Sequence, residues 1–315
     1  MVTVRLETWV HAVWSLLILL LAIVTVYEKI YGTEQVQEHI YGAGWLAACW
    51  GVAGLLSLLW IFRRHLYRQK AVFLLHIAFG LILLGAFITW VAADRGFLHL
   101  RQGESCASYF SGSSEKEQPL PFEVRLVQFD IEYHPGSSEP AGFINFLHIN
   151  DKIYRVSMNR IHSQQGYRLY PYAYDPDGMG SLLQVSYDPW GIGITYTGYL
   201  LLVVCMVWVL FLRIGWKGML VTGISVAALG YCMSRLNPMT PVLRTPMLAA
   251  HVSGILISYL LLVVICVLSV AGVSSARWCK KLYQINRLLL FPAVFLLAAG
   301  IFIGAVWANI SWRRY

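Results

Sequence analysis

Two histidines lie inside apolar segments, where burying an ionisable imidazole ring costs free energy. His76 is the only ionisable side chain in Ala71–Ala93, a run of 23 residues that is long enough, at about 1.5 Å per residue, to cross a bilayer core. His251 lies about two turns inside a second apolar run, Met247–Ala271, behind a predicted helix start at Thr245-Pro246. An ionisable group inside hydrocarbon predicts a functional site. The alternative for His76 is a bond to the carbonyl of a neighbouring helix, and the alternative for His251 is a side chain that snorkels to the lipid headgroups.

The composition around these histidines is that of a polytopic membrane protein. Apolar residues make up 58% of the chain and charged residues only 13%, against about 25% charged in soluble domains. The net charge of +8 does not indicate nucleic-acid binding, because the basic residues cluster in short loops beside apolar segments. Seven segments are long enough to span a membrane: Ala12–Tyr27, Gly44–Phe62, Ala71–Ala93, Ile192–Leu212, Gly218–Met233, Met247–Ala271 and Leu288–Ala308.

The distribution of basic residues predicts the orientation in the membrane. The loops after the second, fourth and sixth segments carry Lys and Arg, whereas Glu28–Ala43 and Ser234–Pro246 are poorer in positive charge. Cytoplasmic loops are enriched in positive residues. We therefore expect a multi-pass membrane protein with a cytoplasmic N-terminus and an extracytoplasmic C-terminus.

One polar block interrupts the apolar segments, and its pattern is that of β structure. Asp94–Gly191 contains short runs of aromatic and β-branched residues between turn signals: Phe122–Tyr133, Phe143–Ile149, Lys152–Met158, Tyr167–Tyr174 and Leu182–Tyr187. The Ser/Glu-rich stretch Gly103–Gln118 is expected to be a mobile loop. The predicted fold is a polytopic α-helical membrane protein of about seven transmembrane helices with an inserted extracytoplasmic β-rich domain. Its predicted parts are a three-helix membrane region (1–93), the β domain (94–191), two membrane helices (192–233) and a last membrane region (234–315).

Few residues of the β block are expected to do chemistry. Its four histidines are predicted to be solvated strand or turn residues: His99, His134, His148 and His162. Asp175, Asp177 and Asp188 adjoin Pro and Gly, so turn formation is favoured over a metal site or an acid pair. No C-x-x-C occurs, which excludes a thiol oxidoreductase motif, and a Cys106–Cys232 disulfide remains a weakly supported alternative.

Helix geometry places the two membrane histidines at different depths. Each is about 8 Å from one end of its own segment, His76 from the cytoplasmic end and His251 from the outer end. Across a core of about 30 Å they are then some 15 Å apart along the membrane normal. Two axial ligands of one haem iron are only about 4 Å apart, so haem ligation by both would require two sites. Trp190, Trp307 and Trp312 lie at the level of His251, where an interfacial aromatic belt is the alternative interpretation.

Several segments resemble a known family. Gly166–Tyr199 (GYRLYPYAYDPDGMGSLLQVSYDPWGIGITYTGY) and the stretch around His76 (FLLHIAFGLILLGAFITW) resemble the ResB/CcsB family. Pro241–Tyr259 (PVLRTPMLAAHVSGILISY) and Gly300–Tyr315 (GIFIGAVWANISWRRY) resemble the CcsA half of the System II cytochrome c synthase. The arrangement is similar to the N-terminal side of a fused CcsB–CcsA synthase.

The resemblance implies haem export and attachment. In that family haem b enters from the cytoplasm, is held in the membrane by helix histidines and reaches an outer site beside a tryptophan-rich loop. There it is joined to the C-x-x-C-H thiols of apocytochrome c, and a thiol-reducing partner is compatible with this chemistry. By resemblance His76 is an intramembrane ligand of the haem iron, His251 an outer ligand, and Trp307 and Trp312 belong to the loop.

The C-terminal end departs from the family pattern. At Ser311–Tyr315 the family continues into the rest of its tryptophan-rich motif, and Arg313 stands where glycine is expected. The remaining ligand histidines would then lie in a further CcsA-like part or chain, and the 315 residues alone are expected to be inactive as a synthase. Two other functions stay open: a b-type haem subunit that takes electrons from quinol, and a non-catalytic assembly scaffold in the membrane.

Overall fold

The computed structural model describes residues 2–112, 114–134, 136, 138, 140–236, 245–274 and 277–311. The chain divides into two compact units. One comprises Met1–Ala92 with Trp190–Val209, and the other comprises Ala93–Pro189 with Leu210–Tyr315.

Apolar helices account for most of the described chain. Six of them are long and apolar enough to cross a membrane, and they lie within α1 (Val2–Tyr31), α3 (Gly44–Arg63), α4 (Lys70–Ala92), α5 (Gly191–Leu236), α6 (Pro246–Ser274) and α7 (Cys279–Ser311). Between α1 and α3 lie a short helix α2 (Thr33–Val36) and a π-helical turn (Gln37–Tyr41), and a 3₁₀ turn (Leu66–Arg68) precedes α4. The predicted class, a helical membrane protein with an inserted β domain, is confirmed.

The fourth and fifth predicted segments form one continuous run, α5, in which two helices meet at a kink. Ile192–Leu212 and Gly218–Met233 both lie in α5, which is interrupted at Gly215, a residue with a φ of +67°. Glycine adopts positive φ without steric cost, so the chain can bend here without a separate loop. The six spans counted among the described residues include the first of these two helices, as Gly191–Leu220, and they do not test the predicted span Gly218–Met233.

The polar block forms one antiparallel sheet of eight strands. In sheet order the strands run β5-β4-β3-β2-β1-β8-β7-β6, with the bounds β1 Asp94–Arg101, β2 Ser105–Ser111, β3 Glu117–Tyr133, β4 Pro140–Ile149, β5 Lys152–Ser157, β6 His162–Gln164, β7 Tyr167–Tyr174 and β8 Gly180–Tyr187. Alternate residues face a common core, whose most completely buried members include Val124, Leu147, Leu169 and Val185. The five predicted strands correspond to β3, β4, β5, β7 and β8.

The predicted loop over Gly103–Gln118 is wrong. It contains β2 and the first residues of β3, because the polar residues of β2 are satisfied within the sheet. Tyr109 and Ser111 point inward and donate hydrogen bonds to the carboxylate of Asp94, each over 2.7 Å. Burial and the bond to Asp94 raise the pKa of Tyr109 above its ordinary value. A serine-rich sequence thus forms a strand because a neighbouring carboxylate accepts its buried hydroxyls.

Small residues bring α4 and α5 into close contact. A Cβ atom on Gly85 would lie 2.6 Å from the backbone nitrogen of Thr195, and one on Gly191 would lie 2.7 Å from that of Thr89. A third contact joins Gly198 to Ile82, whose backbone nitrogen would be 3.0 Å from an added Cβ. Backbone atoms cannot move aside as side chains can, so only glycine permits this approach. The contact fixes the rotation of α4 about its axis and therefore the direction of the face that carries His76.

Candidate functional site

His76 lies in α4 with one ring nitrogen engaged. Its Nδ1 is 2.7 Å from the carbonyl oxygen of Val72, one turn earlier. A carbonyl only accepts, so Nδ1 carries the proton and Nε2 of the neutral ring keeps its lone pair. This tautomer suits an axial ligand that binds through Nε2. The bond alone is not diagnostic, because His11 makes the same local bond to Glu7.

The position of His76 on its helix is more informative than its local bond. His76, Leu83 and Trp90 are seven residues apart and share a face of α4. Trp90 donates from Nε1 to the carbonyl of Gly42 over 2.9 Å, and Leu83 lies next to Gly54 of α3. The face with His76 is therefore the one directed toward α3, roughly opposite the glycine contacts with α5. The ring is half-buried there.

His251 is positioned by a bond between two helices. The α6 helix begins at Pro246, and Thr245 caps it by accepting a hydrogen bond from the backbone N–H of Leu248 over 3.2 Å, as the sequence predicted. Nδ1 of His251 donates to the carbonyl of Gly300 in α7 over 2.7 Å. Because the acceptor belongs to another helix, the bond sets both the tautomer and the ring direction, and Nε2 remains available as a ligand atom.

Two glycines of α7 make room for the His251 ring. A Cβ atom on Gly304 would lie 2.3 Å from Nδ1 of His251, and one on Gly300 would lie 3.4 Å from the backbone oxygen of the same residue. Gly304 and Gly300 are one turn apart on the buried face of α7. The imidazole therefore occupies a notch that a larger side chain would fill.

Trp307 lies on the same stripe of α7 as the notch. Gly300, Gly304, Trp307 and Ser311 follow the i, i+4, i+7, i+11 spacing that defines one helix face, and Ser311 is 4% exposed. The antiparallel α6–α7 contact runs from Ser258, which donates to the carbonyl of Ala293 over 2.8 Å, up to His251. Trp307 is thus one turn beyond the notch, while Trp312 lies outside the described residues.

A contact that sequence reasoning missed joins the β domain to the end of α7. Arg168 on β7 donates from Nη1 to Oδ1 of Asn309 over 2.5 Å. The hydroxyl of Tyr170, two residues along the same strand face, donates to the backbone oxygen of Asn309 over 3.3 Å. The period-two spacing of Arg168 and Tyr170 is the signal that could have suggested a shared surface, although it does not name the partner.

The histidines of the β domain do not converge on one site. His99 is 49% exposed at its side chain and bonds Asp175 through Nε2, whereas His134 and His148 are half-buried. The prediction that His162 is solvated is wrong, since it is 8% exposed and its ring contacts that of Tyr154 with centroids 4.2 Å apart. Burial lowers the pKa of His162, so its ring is neutral at neutral pH.

Asp175 and Asp177 behave as the turn interpretation predicts. The carbonyl of Asp175 accepts the N–H of Gly178 over 2.9 Å, and Asp177 accepts that of Met179 over 3.0 Å. Arg101 pairs with both carboxylates, and its hydrogen bond lowers the pKa of Asp177. Within the described part of the chain no group of three or more His, Cys, Asp or Glu is placed to hold a metal ion. Asp188 is buried, and Cys106 is a free thiol.

Two family models match successive parts of the chain. Residues 63–182 match the ResB-like family, and residues 189–315 match the family described as cytochrome C assembly protein. The chain is 26% identical to protein NrfI of Wolinella succinogenes over an alignment that covers 62% of this chain and 34% of the relative. It therefore spans about a third of the length of that curated relative. Along the chain the match to the ResB-like family therefore comes first and the match to the cytochrome C assembly family second, and each covers less than half of the 315 residues.

Proposed function

We propose that this protein acts in cytochrome c biogenesis, as the part of a synthase that handles haem and brings it to apocytochrome c. The observation that carries the proposal is the bond from Nδ1 of His251 to the carbonyl of Gly300, which leaves Nε2 available as a ligand atom. Two family matches support it, one that includes most of the β domain and one that begins directly after it.

In this proposal haem b is the substrate, and the histidines hold it at two successive positions. His76 binds the iron within the membrane, and His251 binds it at the outer side, where Trp307 and Trp312 offer aromatic surface to the macrocycle. The thiols of a C-x-x-C-H segment then add across the two vinyl groups, with each sulfur bonding carbon and each thiol hydrogen passing to the neighbouring vinyl carbon. The thiols must be reduced, so a thiol-reducing partner belongs to the same scheme.

The proposed setting follows the basic loops. The N-terminus lies in the cytoplasm, and the β domain and the C-terminal end of α7 lie outside the bacterial inner membrane. A further CcsA-like part or chain supplies the remaining axial ligands. The β domain contacts apocytochrome or supports the exit site and does no chemistry itself, since Asp175 and Asp177 are engaged in a turn and in ion pairs with Arg101.

The alternative functions are not favoured by the family matches, and a spectroscopic experiment separates them. The protein is purified from haem-replete cells together with a CcsA-like partner and incubated with a reduced C-x-x-C-H peptide. Transfer of haem to the peptide, seen as a covalent haem–peptide product, supports the synthase function. Haem that stays bound and is reduced by quinol indicates a redox subunit. Absence of haem from the complete assembly contradicts the proposal and favours a scaffold.

A further inference from the structure

The two edge strands of the sheet meet at one end only. Ser157 at the end of β5 exchanges backbone hydrogen bonds of 2.9 Å with Arg160, which precedes β6. Beyond that junction no ladder joins β5 to β6 among the described strands. The two edges part and leave a cleft of about 700 Å³.

Aromatic rings form part of the lining of this edge-strand cleft. Tyr154 of β5 and His162 of β6 both line it, and their rings are in contact at a tilt of 46°, which joins the two edges. Nε2 of His162 lies 3.1 Å from Oε1 of Gln164, which fixes the ring. Because the ring is buried and neutral, the charge of the cleft comes from the longer side chains around it.

The charged side chains that line the edge-strand cleft are all basic. The cleft is lined by Lys152, Arg155 and Arg160 and by no Asp or Glu. Arg155 is paired with Glu132 at 3.2 Å, whereas no described carboxylate lies within salt-bridge distance of Lys152 or Arg160. The neighbouring Asp151 belongs to the β4–β5 turn and does not line the cleft.

The backbone of β5 also offers a binding edge. Lys152–Ser157 pairs with β4 on one side, and its other side is a row of hydrogen-bonding groups about 20 Å long. Such an edge can accept an extended peptide as an added strand. A lysine on an edge strand also discourages edge-to-edge association, but that role does not require a second basic residue across a cleft.

We propose that the edge-strand cleft binds an extended acidic polypeptide segment, which pairs with the outer edge of β5 and places carboxylates against Lys152 and Arg160. Lys152 and Arg160 come from the two sides of the cleft, so the site selects a chain that carries more than one negative charge. The inference does not depend on haem binding and can fail or succeed separately from the proposed function.

The test uses the full chain in detergent and a fluorescent ten-residue peptide that alternates glutamate with threonine. Fluorescence anisotropy at low ionic strength should show saturable binding, and raising the salt to about 0.5 M should weaken it because exposed charges are screened. The double variant Lys152→Glu, Arg160→Glu should weaken binding at least tenfold. Lys116→Glu, Arg125→Glu makes the same change in net charge at exposed positions outside the cleft and should leave binding within about twofold.

Hydrogen exchange then locates the peptide. Bound peptide should slow exchange of the β5 amides, and Lys152→Gln, Arg160→Gln, which avoids introducing new charge, should weaken binding by a smaller factor than the reversal. Equal losses in the cleft and control variants, or no binding at all, would overturn the proposal. So would protection of the same amides by inorganic phosphate or by anionic vesicles with equal effect, which would identify a site for small anions or for lipid headgroups.

Discussion

Arg168 of the β domain holds the last turns of α7 through Asn309, with Nη1 and Oδ1 2.5 Å apart. Asn309 is two residues beyond Trp307 and five beyond Gly304, which borders the His251 notch. A strand residue thus contacts the helix end that carries the candidate haem-binding groups. The two residues are 141 positions apart in the chain, and the contact joins the ResB-like part to the cytochrome c assembly part.

The first prediction concerns this bond. A hydrogen bond to a charged group contributes about 1.5–3 kcal/mol, so Arg168→Met should lower the stability of the protein in detergent by an amount in that range. Asn309→Ala should cost less once Arg168 is already replaced, giving a coupling energy of about 1 kcal/mol in a double-mutant cycle. The coupling energy is obtained from thermal unfolding of the wild type, the two single variants and the double variant.

The control for this cycle pairs Asn309→Ala with Arg125→Met. Arg125 is also on the sheet, and its Nε donates to the carbonyl of Gly103. It lies on β3, whereas Arg168, the partner of Asn309, lies on β7, and these two strands are not neighbours in the sheet. Those two effects should add. A cycle with Arg168 that is equally additive would show that the bond contributes nothing to the folded state.

The second prediction concerns the notch. Gly304→Ala should displace the His251 ring, because the new Cβ would lie 2.3 Å from Nδ1, and overpacking of this kind costs about 1–3 kcal/mol. Gly254→Ala is the matched control on the same helix pair, since its Cβ meets α7 only at 3.6 Å. The temperature of thermal unfolding and the haem absorbance should both fall for Gly304→Ala, and neither should fall for Gly254→Ala. Equal behaviour of the two variants would contradict the notch.

The third prediction concerns His76. If Nε2 binds iron, His76→Ala should deplete haem in the purified complete protein, and added imidazole should restore it by filling the vacant position. His11→Ala is the control, because His11 makes the same local bond to a helix carbonyl but is exposed. Haem content is measured from the absorption spectrum. Unchanged haem in His76→Ala would remove His76 from the site.

The fourth prediction concerns the contact between α4 and α5. Gly85→Ala should destabilise the protein by about 1–3 kcal/mol, because its Cβ would meet backbone atoms of Thr195 and Gly191 at 2.6 and 2.9 Å. Gly80→Ala in the same helix has nothing within 4 Å and should stabilise slightly, as alanine is the better helix former. Unfolding of the two variants in one detergent compares them directly. A tolerated Gly85→Ala would mean that the helices are not in close contact.

The fifth prediction concerns pH. Burial lowers the pKa of His162 from 6.5, so the unfolded chain binds the proton more readily than the folded one. The stability associated with His162 is therefore complete above pH 6.5 and is lost as the pH falls below it toward the lowered pKa. His162→Phe, which keeps a ring against Tyr154, should lose less stability between pH 7.5 and 5.5 than the wild type. An identical pH dependence would show that His162 is not the group that titrates.

Local patterns sufficed for much of the secondary structure. The helix start at Thr245-Pro246 and five of the strands are visible in the sequence because capping and alternation are properties of neighbouring residues. The strand β2 is not visible in the sequence, because Ser105–Ser111 shows little apolar alternation. Its buried hydroxyls depend on Asp94, a residue on another strand. Similarly, Gly215 joins two predicted spans through a bend that hydropathy does not detect.

By itself the sequence determined the membrane class, the two candidate histidines and the resemblance that named their chemistry. Only the tertiary structure decided what each side chain meets. The carbonyl that orients His251 belongs to Gly300, 49 residues away, and the partner of Arg168 is 141 residues away. Periodicity reports which face of an element is apolar, whereas a hydrogen bond between distant elements depends on how their surfaces pack, and no local pattern encodes that pairing.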